Sequence, residues 1–157
     1  AISELSDAFD GYLARLYNQV TDFGKILDPM ADSISRISVF LTFTLEPVQL
    51  PMPLIFIFLY RDSVVSTLRT ICALKGYALA ARVTGKIKAV IQAMAAFMVL
   101  GLMIPYSLGT LSKEALHNFG TAIVGVAALY TIYSGIDYIY ANREYISKFL
   151  KVKTVAS

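Results

Sequence analysis

The chain has 157 residues, 57% of them hydrophobic and 16% charged, with a net charge of +3 and a mean hydropathy of +0.62. Soluble domains carry roughly 25% charged residues, so this composition excludes an ordinary water-soluble globular domain and points to an integral membrane protein of one domain. The single Cys72 excludes an internal disulfide framework.

The first six residues, Ala1 to Ser6, read as the last turns of a helix rather than as an N-terminus, with no basic leader before an apolar run. Upstream membrane helices are therefore expected to precede this sequence. Next come the aspartates Asp7, Asp10, Asp28 and Asp32, interleaved with Gly11, Ala14, Arg15 and Gly24. Asp7, Asp10 and Ala14 are spaced i, i+3, i+7 and share one helix face, while Asp28 and Asp32 are spaced i, i+4 and share another. The polar stretch between them, with Asn18 and Thr21, suits a bend that brings the two carboxylate pairs together. Carboxylates gathered beside a membrane repel one another and are costly to keep. They become compatible around one or two divalent cations, and an all-oxygen set without His or Cys favours Mg²⁺, Mn²⁺ or Ca²⁺ over zinc. Two such ions about 4 Å apart form the clamp that stabilises displacement at phosphorus. Gly11, Ala14 and Gly24 leave room for a bulky phosphate-bearing ligand, and Arg15 is placed to meet a phosphate oxygen. A solvated acidic face would not call for these interleaved residues.

Four apolar stretches follow, each long enough to cross a bilayer core of about 20 helical residues: Leu27–Leu45, Pro51–Leu74, Thr84–Ile104 and Leu116–Tyr140. Turn signals separate them at Glu46-Pro47 with Pro51 and Pro53, at Lys75-Gly76, and from Pro105 to Ser112. Lys and Arg concentrate in Arg15–Arg36, in Lys75–Lys88 and in the tail from Arg143, whereas the opposite connections hold only Lys113. The aspartates, the 75–88 connection and the C-terminus are accordingly expected on the cytoplasmic side.

Within the second stretch lies Arg61-Asp62 and, eight residues after Arg61, Arg69. Arg61 stands 13 residues before Leu74, about 20 Å of helix rise, and a guanidinium at that depth needs a water-filled cavity or an anionic partner. Adjacent side chains on a helix diverge, so Asp62 is not expected to pair with Arg61 and is expected instead to share a face with Arg69. Lys86 and Lys88 enter the third stretch from the same side, and Arg61, Arg69 and Lys86 together form a candidate receptor for a dianionic phosphate. Singly, Arg69, Lys86 and Lys88 also read as topology anchors. His117 and the tyrosines of Tyr130–Tyr145 read as interfacial. Asp137 reads as a bonding partner within the bundle. The faces at Ala89–Ala96 and Gly120–Gly125 read as close-packing surfaces.

The run from Asp7 to Asp32 resembles the signature of the CDP-alcohol phosphotransferases, with every signature position present. The resemblance implies an all-α, polytopic transmembrane helix bundle of six helices, here lacking the first and most of the second, as a single membrane-embedded domain over 1–157. It implies transfer of a phosphatidyl or similar group from a CDP-linked donor to an alcohol, with release of CMP. Asp7, Asp10 and Asp28 would ligate metal, Mg²⁺ or Mn²⁺ and as two ions; Asp32 would touch metal and act as catalytic base. Gly11, Ala14, Arg15 and Gly24 would shape the CDP-donor site. The Arg61-Asp62…Arg69 element and Gly85-Lys86-Ile-Lys88 resemble the phosphatidylglycerophosphate synthase branch, although Ser33 and Asp62 stand where that branch usually has Lys and Glu. That branch implies glycerol 3-phosphate as acceptor, held by Arg61, Arg69 and Lys86, and CDP-diacylglycerol as donor. Implied partners are membrane lipids and a second copy of the chain, with no nucleic acid, in a bacterial cell membrane with the site facing the cytoplasm. Other acceptors, inositol phosphate or phosphatidylglycerol, stay open, as does a carboxylate-based cation transporter. The transporter reading leaves Arg15, Gly11, Gly24 and Arg61 without a role.

Overall fold

The computed structural model describes residues 22–74 and 82–150, and the side chains of 31–72, 82–144, 146 and 147. Every described element is helical: α1 (Asp22–Thr42), α2 (Met52–Leu74), α3 (Val83–Ser107), α4 (Lys113–Ala141) and α5 (Arg143–Leu150). The expected turn at Lys75-Gly76 lies outside the described residues. The chain divides into two compact units after Ile34. Of the first, the opening of α1 is described; the second holds the remaining helices.

Local chemistry sets the helix ends. Pro51 precedes α2 and Pro53 sits in its first turn, where a missing N–H costs nothing. Ser112 caps α4 by accepting from the Ala115 N–H at 3.2 Å, with Glu114 in the first turn, where the helix dipole favours an acid. α3 ends just after Pro105; Gly109, at φ +73°, turns the chain out while its N–H donates to the Tyr106 carbonyl.

Two helices, Val83–Ser107 and Lys113–Ala141, are long and apolar enough to cross a membrane. Four spans were expected. α2, at 23 residues, is long enough, but Arg61, Asp62 and Arg69 fall together in its central and C-terminal turns. α1 carries Asp28, Asp32 and Arg36. The chemistry-bearing charges are thus what sets these two helices apart from α3 and α4.

α4 is the packing axis of the second unit and contacts α2, α3 and α5. Its buried positions are Leu116, Gly120, Val124, Ala127, Ala128, Thr131, Ser134 and Tyr138. α3 turns Lys88, Gln92, Ala95 and Val99 inward, at four- and three-residue steps. α2 buries Ile55, Phe58, Val65 and Cys72, again at coiled-coil intervals. The bundle is graded along its axis. At one end Phe40, Phe43, Val48, Leu50, Ile55, Phe58, Val99, Leu116 and Val124 form an apolar plug, in which the Phe40 and Phe58 rings lie 4.9 Å apart. At the other end the inward side chains are polar, and the Gln92 amide, donating to Thr131 Oγ1 at 3.2 Å, marks the boundary. The outward positions of the same helices are apolar: Met94, Phe97, Leu100 and Ile104 on α3, Val126, Leu129 and Ile136 on α4. At that end, charged and polar groups inside with apolar side chains outside invert the soluble pattern, as fits a bundle in lipid.

The small-residue faces settle into distinct roles. A Cβ at Gly120 would sit 3.2 Å from Val48 Cγ1 and 3.6 Å from Leu50 Cδ2, so this glycine serves packing within the chain, whereas a Cβ at Gly125 would meet nothing within 4 Å. Gly120→Leu is expected to overpack the plug by about 1–3 kcal/mol and to lower the unfolding temperature in detergent. Gly125→Leu is expected to leave it unchanged or raised. Equal effects would refute the assignment.

Candidate functional site

The polar end of the bundle is built around Arg61 on α2. Its Nη1 donates to Asp62 Oδ1 at 3.0 Å, and its Nη2 donates to Ser134 Oγ on α4 at 2.7 Å. Lys88 Nζ, arriving from α3, donates to the same Asp62 Oδ1 at 2.6 Å. The side chains are 12% (Arg61), 10% (Asp62) and 4% (Lys88) exposed, so three charges with a net of +1 sit almost wholly inside the bundle. Gly135 makes the room, since a Cβ there would lie 3.1 Å from Arg61 Cγ, whereas one at Gly85 would be in ordinary contact, 3.5 Å from Arg61 Nη2. One turn nearer the α2 C-terminus than Val65, the Arg69 guanidinium carbon lies 5.8 Å from the centroid of the Tyr138 ring, within the range of a cation–π contact. Ser134 and Tyr138 are four residues apart on α4, so Arg61 and Arg69 are lined up along one stripe of that helix.

The Nε atoms of Arg36, Arg61 and Arg69 and the hydroxyl of Tyr138 are buried and find no hydrogen-bond partner among the described residues. Buried polar groups are ordinarily satisfied. The Thr121 hydroxyl, toward the plug end, is also buried without a partner among the described residues; what sets the polar end apart is that three of its unpartnered groups belong to cationic guanidiniums.

Two expectations need correcting. Asp62 does pair with Arg61, although the two are adjacent in sequence. Their Cβ directions diverge, but the arginine is long enough to curl back, and Lys88 and Ser134 draw both side chains into the same groove. The depth of Arg61 also depends on the helix used to measure it. It is about 20 Å from the end of α2, but Lys88, at the same level, is five residues into α3, about 8 Å from its start. The cluster is thus close to the ends of α3 and α4, and α2 reaches past them.

Of the expected phosphate-binding residues, Arg61 is mostly buried and Arg69 partly buried beside α4, and Lys86 is exposed near the start of α3. Asp137 is a bonding partner, as expected: its carboxylate accepts from Thr84 Oγ1 at 2.7 Å and from Arg82 Nη2 at 3.2 Å, in an ion pair whose Nε–Oδ2 distance is 2.9 Å, fastening the start of α3 to the end of α4. His117 Nδ1 lies 3.1 Å from the Val48 carbonyl at the plug end, a packing role. Tyr138 departs from the interfacial expectation for tyrosines, being 2% exposed.

Asp7, Asp10, Gly11, Ala14 and Arg15 lie outside the described residues. Gly24, Asp28 and Asp32 are on α1, where positions 28 and 32 are one turn apart on an unbroken helix, and the Asp32 side chain is exposed. No group of three or more His, Cys, Asp or Glu gathers among the described residues. The donor chemistry of the four aspartates, oxygen only, fits a hard divalent cation.

A family model for CDP-alcohol phosphatidyltransferase matches residues 1–134. The chain belongs to this family. It is similar to proteins named CDP-diacylglycerol–glycerol-3-phosphate 3-phosphatidyltransferase from several bacteria. With that of Bacillus subtilis (strain 168) it shares 33% identity over 146 residues, 91% of this chain and 70% of the relative. With that of Rickettsia bellii the identity is 34%, covering 92% of this chain and 76% of the relative. With that of Pectobacterium atrosepticum it is 31%, covering 88% and 73%. As a CDP-alcohol phosphatidyltransferase the chain is a membrane enzyme of phospholipid synthesis, which accounts for its inverted polarity.

In this phosphatidyltransferase, sequence reasoning missed the roles of Lys88, Ser134 and Arg36. A signal for Lys88 was present: with Gln92, Ala95 and Val99 it follows the spacing of an inward face. Ser134 carried none, since its partner lies 73 positions away. Arg36, one turn beyond Asp32, looked like an ordinary cytoplasmic anchor.

Proposed function

We propose that this chain transfers the phosphatidyl group of CDP-diacylglycerol to sn-glycerol 3-phosphate, giving phosphatidylglycerophosphate and CMP. The observation that carries the acceptor is the net-positive, mostly buried cluster of Arg61, Asp62 and Lys88, with Arg69 on the same stripe of α4. A phosphorylated acceptor supplies the anion that the unpartnered arginine Nε atoms call for, and the names of the relatives agree with that choice. Arg61, Arg69 and Lys86 hold the acceptor's phosphate. Arginine does so through a planar fork matched to phosphate oxygens. Lys86, exposed where the cluster comes close to the start of α3, acts as a flexible point charge.

Asp7, Asp10, Asp28 and Asp32 hold the divalent metal, Mg²⁺ or Mn²⁺ and as two ions, which when bound offsets charge on the diphosphate. Gly11, Ala14, Arg15 and Gly24 admit the CDP moiety. Asp32 takes the proton of the acceptor hydroxyl as its oxygen bonds to the phosphatidyl phosphorus, and the bond from that phosphorus to the CMP oxygen breaks. The lysine and arginine distribution puts this end of the bundle at the cytoplasmic face of a cell membrane.

The test is CMP release from CDP-diacylglycerol by reconstituted protein supplied in turn with glycerol 3-phosphate, glycerol, inositol, inositol phosphate and phosphatidylglycerol. Release is expected with glycerol 3-phosphate, abolished by EDTA and restored by Mg²⁺ or Mn²⁺. Turnover with an unphosphorylated alcohol, and none with glycerol 3-phosphate, would overturn the acceptor assignment.

A further inference from the structure

Arg61 alone does not explain the cluster it sits in. A guanidinium 3.0 Å from a carboxylate is a neutral pair at any distance beyond a few ångströms. In a low-dielectric bundle the carboxylate would repel an incoming dianion about as strongly as the guanidinium attracts it. Lys88 changes that sum. Its ammonium meets the same carboxylate oxygen at 2.6 Å, against 3.0 Å for Arg61, so Asp62 is held on the Lys88 side and the net charge returns to +1. Lys88 is 4% exposed and its ammonium is engaged by Asp62, whereas Arg61 keeps an unpartnered Nε. The other side of the guanidinium is fixed from α4 by Ser134, and its buried Nε has no partner among the described residues.

We propose that Lys88 is a positioning residue for acceptor binding: by engaging Asp62 from α3 it cancels that carboxylate and leaves the Arg61 guanidinium, steadied by Ser134, to an anionic acceptor. This rests on the reading of Arg61 as a phosphate-binding residue. The charges form a short relay, Lys88 to Asp62 to Arg61, across the α3–α2 contact, and Ser134 on α4 sets its direction. A salt bridge that only joined two helices would need neither the shared oxygen nor the arginine's second anchor.

The experiment compares Arg61→Met, Lys88→Met, Lys88→Arg and the double variant Lys88→Met/Asp62→Asn in reconstituted enzyme, with KM for glycerol 3-phosphate, KM for CDP-diacylglycerol and kcat measured separately. Lys88→Met is expected to raise KM for glycerol 3-phosphate about tenfold, with kcat and the donor KM moved by less than about threefold. Lys88→Arg should stay near the parent. The double variant should bring the acceptor KM back to within about threefold of the parent, because the uncancelled carboxylate is gone. A purely structural bridge predicts the opposite: the double variant would be as poor as Lys88→Met or poorer, which would overturn the proposal. So would an unchanged acceptor KM in Lys88→Met while Arg61→Met raises it, and in that case the phosphate reading of Arg61 would survive. An unchanged acceptor KM in Arg61→Met would instead remove that reading and the proposal with it.

Discussion

Asp32→Asn is expected to lower CMP release by about three orders of magnitude or more. A positioned general base contributes about 10²–10⁴ in rate, and the same substitution weakens one ligand of the proposed metal set. The variant is close to isosteric and the side chain is exposed on α1, so the loss should come without a fall in unfolding temperature. The two roles separate on metal titration. If Asp32 served only as a ligand, raising Mg²⁺ or Mn²⁺ would restore the rate. If it is the base, saturating metal leaves the rate low. Retention of more than about a tenth of the activity would remove Asp32 from the chemistry altogether.

Arg61→Met has the next largest expected effect, and it falls on a different parameter. The substitution takes the buried cluster from +1 to zero, since Asp62 keeps Lys88 as partner, and it deletes the fork that phosphate would grip. Losing a desolvated, charge-assisted contact of this kind costs about 2–5 kcal/mol. KM for glycerol 3-phosphate should therefore rise about 30-fold or more, while the CDP-diacylglycerol KM stays near the parent value. Arg61→Lys should recover only part of this loss. A single ammonium cannot reach Asp62, Ser134 and a phosphate together, as the planar guanidinium does. A rise in donor KM instead would place Arg61 on the CDP side.

The helices were legible because their signals are local. The stretches Thr84–Ile104 and Leu116–Tyr140 became Val83–Ser107 and Lys113–Ala141, lengthened by turns whose polar residues a hydropathy reading discounts. The stretch Leu27–Leu45 became Asp22–Thr42, because the aspartates and Gly24 are helical although not apolar. The reaction class was legible for the same reason, since its signature lies within 26 consecutive positions, Asp7 to Asp32. The cluster around Arg61 was not. Lys88 and Asp62 are 26 positions apart, and Arg61 and Ser134 are 73 apart, so only the packing of α2 and α3 on α4 joins them. The i, i+1 rule also misled for Asp62. It describes where Cβ atoms point and is silent on how far a long side chain can bend toward a shared third partner.

The apolar plug of Phe40, Phe58, Val99 and Val124 bears on which leaflet receives the new headgroup. With one end of the bundle stoppered and the polar groups gathered at the other, both water-soluble reactant and nucleotide product of the proposed reaction come and go on the same side. Each turnover of the proposed reaction therefore exchanges one headgroup for another in a single leaflet and leaves its number of lipids unchanged. The new headgroup reaches the opposite leaflet only through some other agent that carries lipid across.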